Sequence, residues 1–388
     1  MGDLSYILNE LGEDRESYFR AIAPPIMQTS NFAFRKVDDL RKVFEDEYSE
    51  HLYSRGRNPT TDILRVKLAA LDEAEDCLVF NSGASAIFAS VFANIQSGDH
   101  IVSVSDPYSW AQKMFENVLP RFGVATTYVD GSRIENFERA ILPKTRVIYL
   151  ESPNSWDFAI QDLRAVAELA KAENIITICD NSYCSPIYQK PLTFGIDMTL
   201  QSASKYIGGH SDVVAGVLTG TRAMMKKIFD SELLNMGSGV SPFNAWLLLR
   251  GLRTLPIRLA HISKTTPKVI EFLRQHPKVE EVIFPFDSFF PQYELAKQQM
   301  TGACGLVTVV MKAEKMQEIV TFCESLRHIL IAVSWGGHES LAMPRCASIP
   351  PEDFDSKNRR HRMIRLYIGL EEADYLIEDI KQAFAAVS

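Results

Sequence analysis

Apolar and polar positions alternate along the chain in blocks that switch between two periods. From Thr61 onward Ile63, Leu64, Val66, Leu68, Leu71 and Ala74 recur at helical spacing with charges between them. Short apolar runs follow at residues 101–104, 147–150, 175–179 and 198–200, each read as a buried strand. They end at Asp106-Pro107, Glu151-Ser152-Pro153, Asp180 and Ser202. Between the second and third lies an amphipathic helix, residues 162–173. Strands separated by helical crossovers predict an α/β fold with a parallel sheet covered on both faces. Ligands of such sheets sit beyond the carboxyl ends of the strands, where this chain places polar residues.

A long helical run begins at Pro242, with Ala245, Trp246, Leu248, Leu249 and Leu252 apolar. Beyond it the pattern mixes helices (268–275, 315–326) and strands (306–311, 364–368), which predicts a smaller α+β domain. Ala23-Pro24-Pro25 interrupts any helix near the start, and residues 45–50 are mostly acidic, so the first stretch reads as an arm. The expected organisation is an arm over 1–55, a central domain over 56–245 and a C-terminal domain over 246–388.

Composition narrows the classes. The 388 residues are 46% hydrophobic and 23% charged, with 41 Lys and Arg against 49 Asp and Glu for a net charge of −8. An acidic chain with no basic run offers nucleic acid or an anionic membrane no footprint. No stretch is apolar enough to span a bilayer. The acidic first residues do not read as a signal peptide, and the six cysteines show no CxxC spacing. No metal and a cytoplasmic location are therefore expected.

Four strand-end features could carry chemistry. In Ser202-Ala203-Ser204-Lys205 a lysine amine stands between hydroxyls, suited to bonding an aldehyde cofactor, although a lone lysine of this kind is usually a surface residue. Asp180, ending an apolar strand, needs a cationic partner such as a protonated pyridine nitrogen; alone, Asp-Asn is more often a turn. Asn81-Ser82-Gly83-Ala84-Ser85 opens a helix and can seat a phosphate on backbone N–H groups, or be only a serine cap. Tyr108 can stack on a flat ring or be half-buried packing. Along the chain the phosphate seat, the aromatic, the carboxylate and the lysine follow one another at strand ends, and together they fit pyridoxal 5′-phosphate (PLP).

The chain resembles the Cys/Met-metabolism family of PLP enzymes. The resemblance is carried by residues 24–32 (PPIMQTSNF), 53–60 (YSRGRNPT), Glu151-Ser152-Pro153, Asp180-Asn181-Ser182, Ser202 to Tyr206, 248–255 (LLRGLRTL), 334–341 (SWGGHESL) and 365–371 (RLYIGLE). It implies a fold-type I PLP enzyme with a mostly parallel sheet in the large domain. Lys205 would bond the cofactor and, with Tyr108, move protons; Asp180 would meet the ring nitrogen, and Tyr108 would stack. Gly83, Ala84, Ser202 and Ser204 would hold the phosphate. Tyr53 and Arg55 would reach the phosphate of a neighbouring subunit, giving dimers that pair into a tetramer. Arg365, Ser334, Trp335 and Ser155 would bind a small amino-acid substrate.

Departures from the family pattern bear on the reaction. Ser155 stands where Asn is usual, and SWGG resembles bacterial cystathionine β-lyases. Val333 replaces the Glu that cystathionine γ-enzymes carry, and Trp110 replaces the Cys of methionine γ-lyases. The expectation is a carbon–sulfur lyase acting by β-elimination to thiol, pyruvate and ammonia. The alternatives are γ-elimination or γ-replacement, to which the segment around residues 241–255 points, and, in another class, an aminotransferase.

Overall fold

The computed structural model describes residues 3–387, which divide into two units. The first comprises residues up to Asn154, Ala159–Gly208 and Asp212–Arg253; the second comprises Ser155–Phe158, Gly209–Ser211 and the chain from Thr254 onward.

The first unit is built on seven strands: β1 (Asp76–Phe80), β2 (His100–Val104), β3 (Ala125–Val129), β4 (Thr145–Glu151), β5 (Ile176–Asp180), β6 (Met198–Ser202) and β7 (Gly216–Gly220), in the order β1-β7-β6-β5-β4-β2-β3. Strands β2 to β6 pair in parallel. Strand β7 runs antiparallel to both β1 and β6, so the sheet is mostly parallel, as expected. Residues of β4 show why the strand sequences are apolar throughout. Val147 and Tyr149 enter one core with Phe80, Ile87 and Leu200, while Ile148 and Leu150 enter another with Val102, Leu163 and Cys179. Successive side chains point to opposite faces, and both faces are covered.

The crossover helices start where side chains can cap them. Asp162 accepts a hydrogen bond from the Ala165 N–H at 3.0 Å and opens the helix Leu163–Ala172. Asn58 accepts from Thr60 at 3.0 Å and precedes Pro59, the first residue of the helix Pro59–Asp72. The helical run expected from Pro242 is one continuous helix, Pro242–Gln275, which retains Pro256 and Pro267 inside it. The separate helix expected over 268–275 is the last part of that element.

The second unit holds a five-stranded sheet of β8 (Val279–Ile283), β9 (Leu306–Met311), β10 (Leu330–Ile331), β11 (Leu341–Pro344) and β12 (Met363–Tyr367), in the order β10-β11-β12-β9-β8. Its core joins Val309, Ile364 and Leu366 to Phe322 of the helix Met316–Ser325 and Leu376, Ile380 and Phe384 of the helix Ala373–Ala385. All six cysteines are buried, as thiols. Among the described residues no helix is long and apolar enough to cross a membrane.

Candidate active site

In the first unit the strand ends converge on one group of side chains. After β1, Ser82 caps the helix Gly83–Phe92 by accepting from the Ser85 N–H at 3.1 Å. The first N–H groups of that helix therefore begin at Gly83 and Ala84, a position that favours an anion. A Cβ on Gly83 would stand 3.1 Å from Ser202 Cβ, so the absence of a side chain keeps the approach between the helix start and the end of β6 open. Gly216 of β7 is tighter still: a Cβ there would meet the Ser82 carbonyl oxygen at 2.2 Å. Sequence reasoning singled out Gly83 and missed Gly216, because the need for glycine comes from a close approach between distant segments.

Beyond β6 the chain turns sharply. The Lys205 N–H donates to the Ser202 carbonyl at 3.1 Å, and Ser204 Oγ accepts from the Ala215 N–H at 3.0 Å. Ser182 fixes the neighbouring strand end, its Oγ accepting from the Ser202 N–H at 2.7 Å and its own N–H donating to Asp180 Oδ1 at 2.9 Å. Asp180 is buried. Burial raises its carboxyl above the ordinary range, against the opposing pull of the Ser182 hydrogen bonds and the Lys205 charge. A carboxylate in that position favours a cationic partner.

Tyr108 follows β2 and is 38% exposed. Its backbone N–H donates to Glu151 Oε2 at 2.6 Å. Glu151 ends β4 and lies directly opposite Asp180 in the parallel register. Burial, then the Asp180 and Glu151 charges, push the Tyr108 phenol above its ordinary value. The role of Glu151 is not legible in the sequence, because it acts on Tyr108 through the backbone. A buried network backs this loop: Asn181 donates to the Gln189 carbonyl at 2.8 Å, and Gln189 donates to the Ser152 carbonyl at 2.6 Å.

Tyr53 and Arg55 form a group of their own. The Arg55 guanidinium lies 5.5 Å from the Tyr53 ring centre, on a groove of about 680 Å³ lined also by Asn31, Phe32, Arg35 and Phe44.

In the second unit Arg365 is buried in the middle of β12. It donates to the Ser155 carbonyl at 3.1 Å, and its Cζ stands 5.1 Å from the Trp156 ring and 4.9 Å from the Trp335 ring. Three of the expected substrate residues, Arg365, Trp335 and Ser155, thus come together, Ser155 through its backbone carbonyl. Ser334 has a φ of 86°, a strained value for a residue with a side chain, two residues before Gly336 at 89°. Trp156, given no role by the sequence, completes the cluster.

A helix N-terminus held open by glycine, a buried strand-end carboxylate, a lysine and an exposed aromatic face fit the phosphate, the ring nitrogen, the aldehyde and the ring of PLP. On a mostly parallel seven-stranded sheet they define a fold-type I PLP enzyme. Residues 7–385 match the family model described as Cys/Met metabolism PLP-dependent enzyme, and the chain belongs to that family. It is 37% identical over 372 residues to an L-methionine gamma-lyase of Treponema denticola, covering 94% of this chain and 92% of that one. It is 36% identical to a cystathionine gamma-lyase of Bacillus subtilis, covering 94% of each. The metB protein of Corynebacterium glutamicum superposes with a TM-score of 0.91 at 31% identity, over 100% of this chain and 99% of that one. An O-acetylhomoserine (thiol)-lyase structure from Campylobacter jejuni, its function qualified there as putative, carries N′-pyridoxyl-lysine-5′-monophosphate at its position 205. It superposes at 0.92 with 26% identity over 99% of this chain and 100% of that one. The chain is a PLP-dependent lyase of sulfur amino-acid metabolism.

Proposed function

We propose that the enzyme cleaves the carbon–sulfur bond of a sulfur amino acid at Cγ, releasing a thiol, 2-oxobutanoate and ammonia. The observation that carries the elimination reading is the group of Asp180, Lys205 and Tyr108 at adjoining strand ends. The similarity to methionine and cystathionine γ-lyases along nearly the whole chain supports Cγ over the β-elimination expected from SWGG and Ser155. Val333, apolar and 71% exposed, offers no carboxylate to a distal ammonium, which favours a methionine-like side chain over cystathionine.

When bound, the cofactor supplies an electron sink for the carbanion formed at the substrate α-carbon. The protein's part follows from its residues. Asp180 holds a positive charge on the ring nitrogen, its carboxylate form restored by that partner. The N–H groups of Gly83 and Ala84 and the hydroxyls of Ser202 and Ser204 take the phosphate. Lys205 Nζ would remove the proton from the α-carbon and then, after passing it on, one from Cβ, whose electron pair is what expels the sulfur from Cγ; Tyr108 would cover the ring and protonate the departing sulfur. Arg365, between two indoles, takes the substrate α-carboxylate with Ser334 and Trp335 beside it. Tyr53 and Arg55 serve the phosphate of a second subunit, which makes a homodimer the active unit and pairs of dimers a tetramer.

Incubating the purified holoenzyme with methionine, cystathionine and cysteine tests the reading. Thiol with 2-oxobutanoate from methionine is expected. Pyruvate from cystathionine without 2-oxobutanoate restores β-elimination, and amino-group transfer without thiol marks an aminotransferase.

A further inference from the structure

Tyr53 and Arg55 stand exposed on a turn whose two ends are tied to one carboxylate. The Tyr53 carbonyl closes the turn, accepting from the Gly56 N–H at 3.0 Å and the Arg57 N–H at 3.3 Å. Two residues before Tyr53, His51 Nε2 lies 2.7 Å from Asp62 Oδ2. Two residues after Arg55, Arg57 Nη2 donates to the same oxygen at 2.6 Å, and its Nε donates to Oδ1 at 3.3 Å. Arg57 also donates to the Tyr48 carbonyl at 2.6 Å, which ties down the chain entering the turn. Gly56 seats the turn closely: a Cβ there would stand 2.9 Å from Phe229 Cζ.

Asp62 is itself firmly held. It lies in the first turn of the helix Pro59–Asp72, with its side chain 18% exposed. Arg65, one turn further on and buried, donates to Asp62 Oδ1 at 3.4 Å, to the Cys77 carbonyl at 2.6 Å and to Asp76 at 3.2 Å. The carboxylate is thereby joined to the start of β1. Burial alone would raise the Asp62 carboxyl; hydrogen bonds from His51 and Arg57 and the charges of Arg57 and Arg65 outweigh it and hold the group below its ordinary value. Asp62 thus stays ionised and keeps both ends of the turn. The two-pronged contact from Arg57 fixes direction as well as distance.

We propose that Asp62 is a positioning residue for the cofactor: by holding His51 and Arg57 it aims Tyr53 and Arg55 at the phosphate bound by a second subunit. The inference rests on Tyr53 and Arg55 serving that phosphate. A loose turn would give up backbone freedom on meeting the anion; a turn fixed beforehand has already lost it, so less of the binding energy is spent on ordering. A change at Asp62 is then felt at the neighbouring subunit's cofactor, and not at the cofactor bonded to Lys205 of the same chain.

Cofactor retention by the holoenzyme tests it, read as the visible absorbance of lysine-bound cofactor that survives dilution. Asp62→Asn keeps the shape and loses the charge, and should weaken retention by about tenfold. Mixed dimers separate positioning from a general loss of stability. When the Asp62→Asn chain is coexpressed with a Lys205→Ala chain, one site of the mixed dimer takes its lysine from the first chain and its turn from the second. A tightly retained fraction of cofactor should appear that neither homodimer shows. Its absence, or normal retention by the Asp62→Asn homodimer, overturns the proposal. Arg55→Ala paired with Lys205→Ala is the control: if Arg55→Ala alone leaves retention unchanged, or its mixed dimer is not restored, the fault lies in the assignment of Tyr53 and Arg55 beneath it. Arg57→Gln leaves Asp62 its contacts with His51 and Arg65. It should give the same pattern as Asp62→Asn, and it takes that variant's place should Asp62→Asn fail to fold.

Discussion

The Glu151 carboxylate accepts a hydrogen bond from the backbone N–H of Tyr108 at 2.6 Å, so the side chain ending one strand fixes the loop that follows another. Tyr108 lies in an exposed segment, and its backbone is what aims the ring. Glu151→Ala removes the acceptor and frees that segment. It should lower kcat by about tenfold or more, since a misplacement of about 1 Å can cost a hundredfold. Glu151→Gln keeps an oxygen in place and should retain most of the rate. Steady-state kinetics of both variants checks this: equal losses would show that charge, not the hydrogen bond, is what matters.

Gly216 and Ser82 impose a second constraint of this kind. A Cβ on Gly216 would lie 2.2 Å from the Ser82 carbonyl and 2.9 Å from Gly83 Cα. Gly216→Ala must push the helix start away from β7. Overpacking of this sort costs about 1–3 kcal/mol. The displaced N–H groups should also bind PLP at least about tenfold more weakly. Cofactor titration of the apo-protein, alongside urea unfolding, separates the two effects. Unchanged affinity would remove Gly83 and Ala84 from the phosphate seat.

What the sequence made legible was local. The parallel strands read as apolar runs because both their faces are buried, and their polar ends gave Asp180, Ser202 and Lys205. Strand β7 was missed because Gly216 and Gly220 at its two ends break the apolar run. The short exposed β10 has no pattern to read. Arg365 was found through a motif. Its setting was not, since Ser155, whose carbonyl it grips, is 210 residues away, and no local period reports a contact of that range.

Lys205 stands in the turn after β6, its N–H bound to the Ser202 carbonyl, a backbone bond that a change of side chain leaves in place. Lys205→Ala should therefore keep the wild-type melting temperature of the apo-protein within a few degrees. Turnover should fall by about a thousandfold or more, since both the attachment point and the proton carrier are lost. Near-normal turnover in this variant would displace Lys205 from the centre of the chemistry.

Asp72 links stability to pH. It is buried at the end of the helix Pro59–Asp72 and accepts from Gln201 Nε2 at 3.0 Å and Thr219 Oγ1 at 2.9 Å. Burial outweighs these bonds and pushes its carboxyl up to about 7 from 3.8. Between those two values the unfolded chain is ionised while the folded one keeps its proton. The folded state then binds more protons, and stability falls as pH rises through this window, levelling off above about 7. The group contributes a loss on the order of a few kcal/mol. Asp72→Asn should flatten the decline between pH 3.8 and about pH 7 in urea titrations. An equally steep decline in the variant would assign it to other groups.

Lys67 is the deepest cation in the first unit, 1% exposed on the same helix. Its Nζ donates to the carbonyls of Ile7 at 3.0 Å and Leu8 at 3.1 Å, and it pairs with Glu13 at 3.2 Å. Glu13 is also fully covered and meets Arg253 at 3.1 Å. The N-terminal segment is thus held by charges that have given up water. Removing Glu13 leaves Lys67 buried with only neutral carbonyls, at a cost of about 3–5 kcal/mol, whereas without Lys67 the Glu13 carboxylate still meets Arg15 and Arg253, each at 3.1 Å. Glu13→Gln should destabilise by that order and Lys67→Met by less, and limited proteolysis should cut first near the helix Leu4–Asn9. The double variant should lose less than the two single losses together, because the second change removes the charge that the first left stranded. Strict additivity in the unfolding measurements would show that Lys67 and Glu13 act separately, and that the two backbone carbonyls alone account for the burial of the lysine.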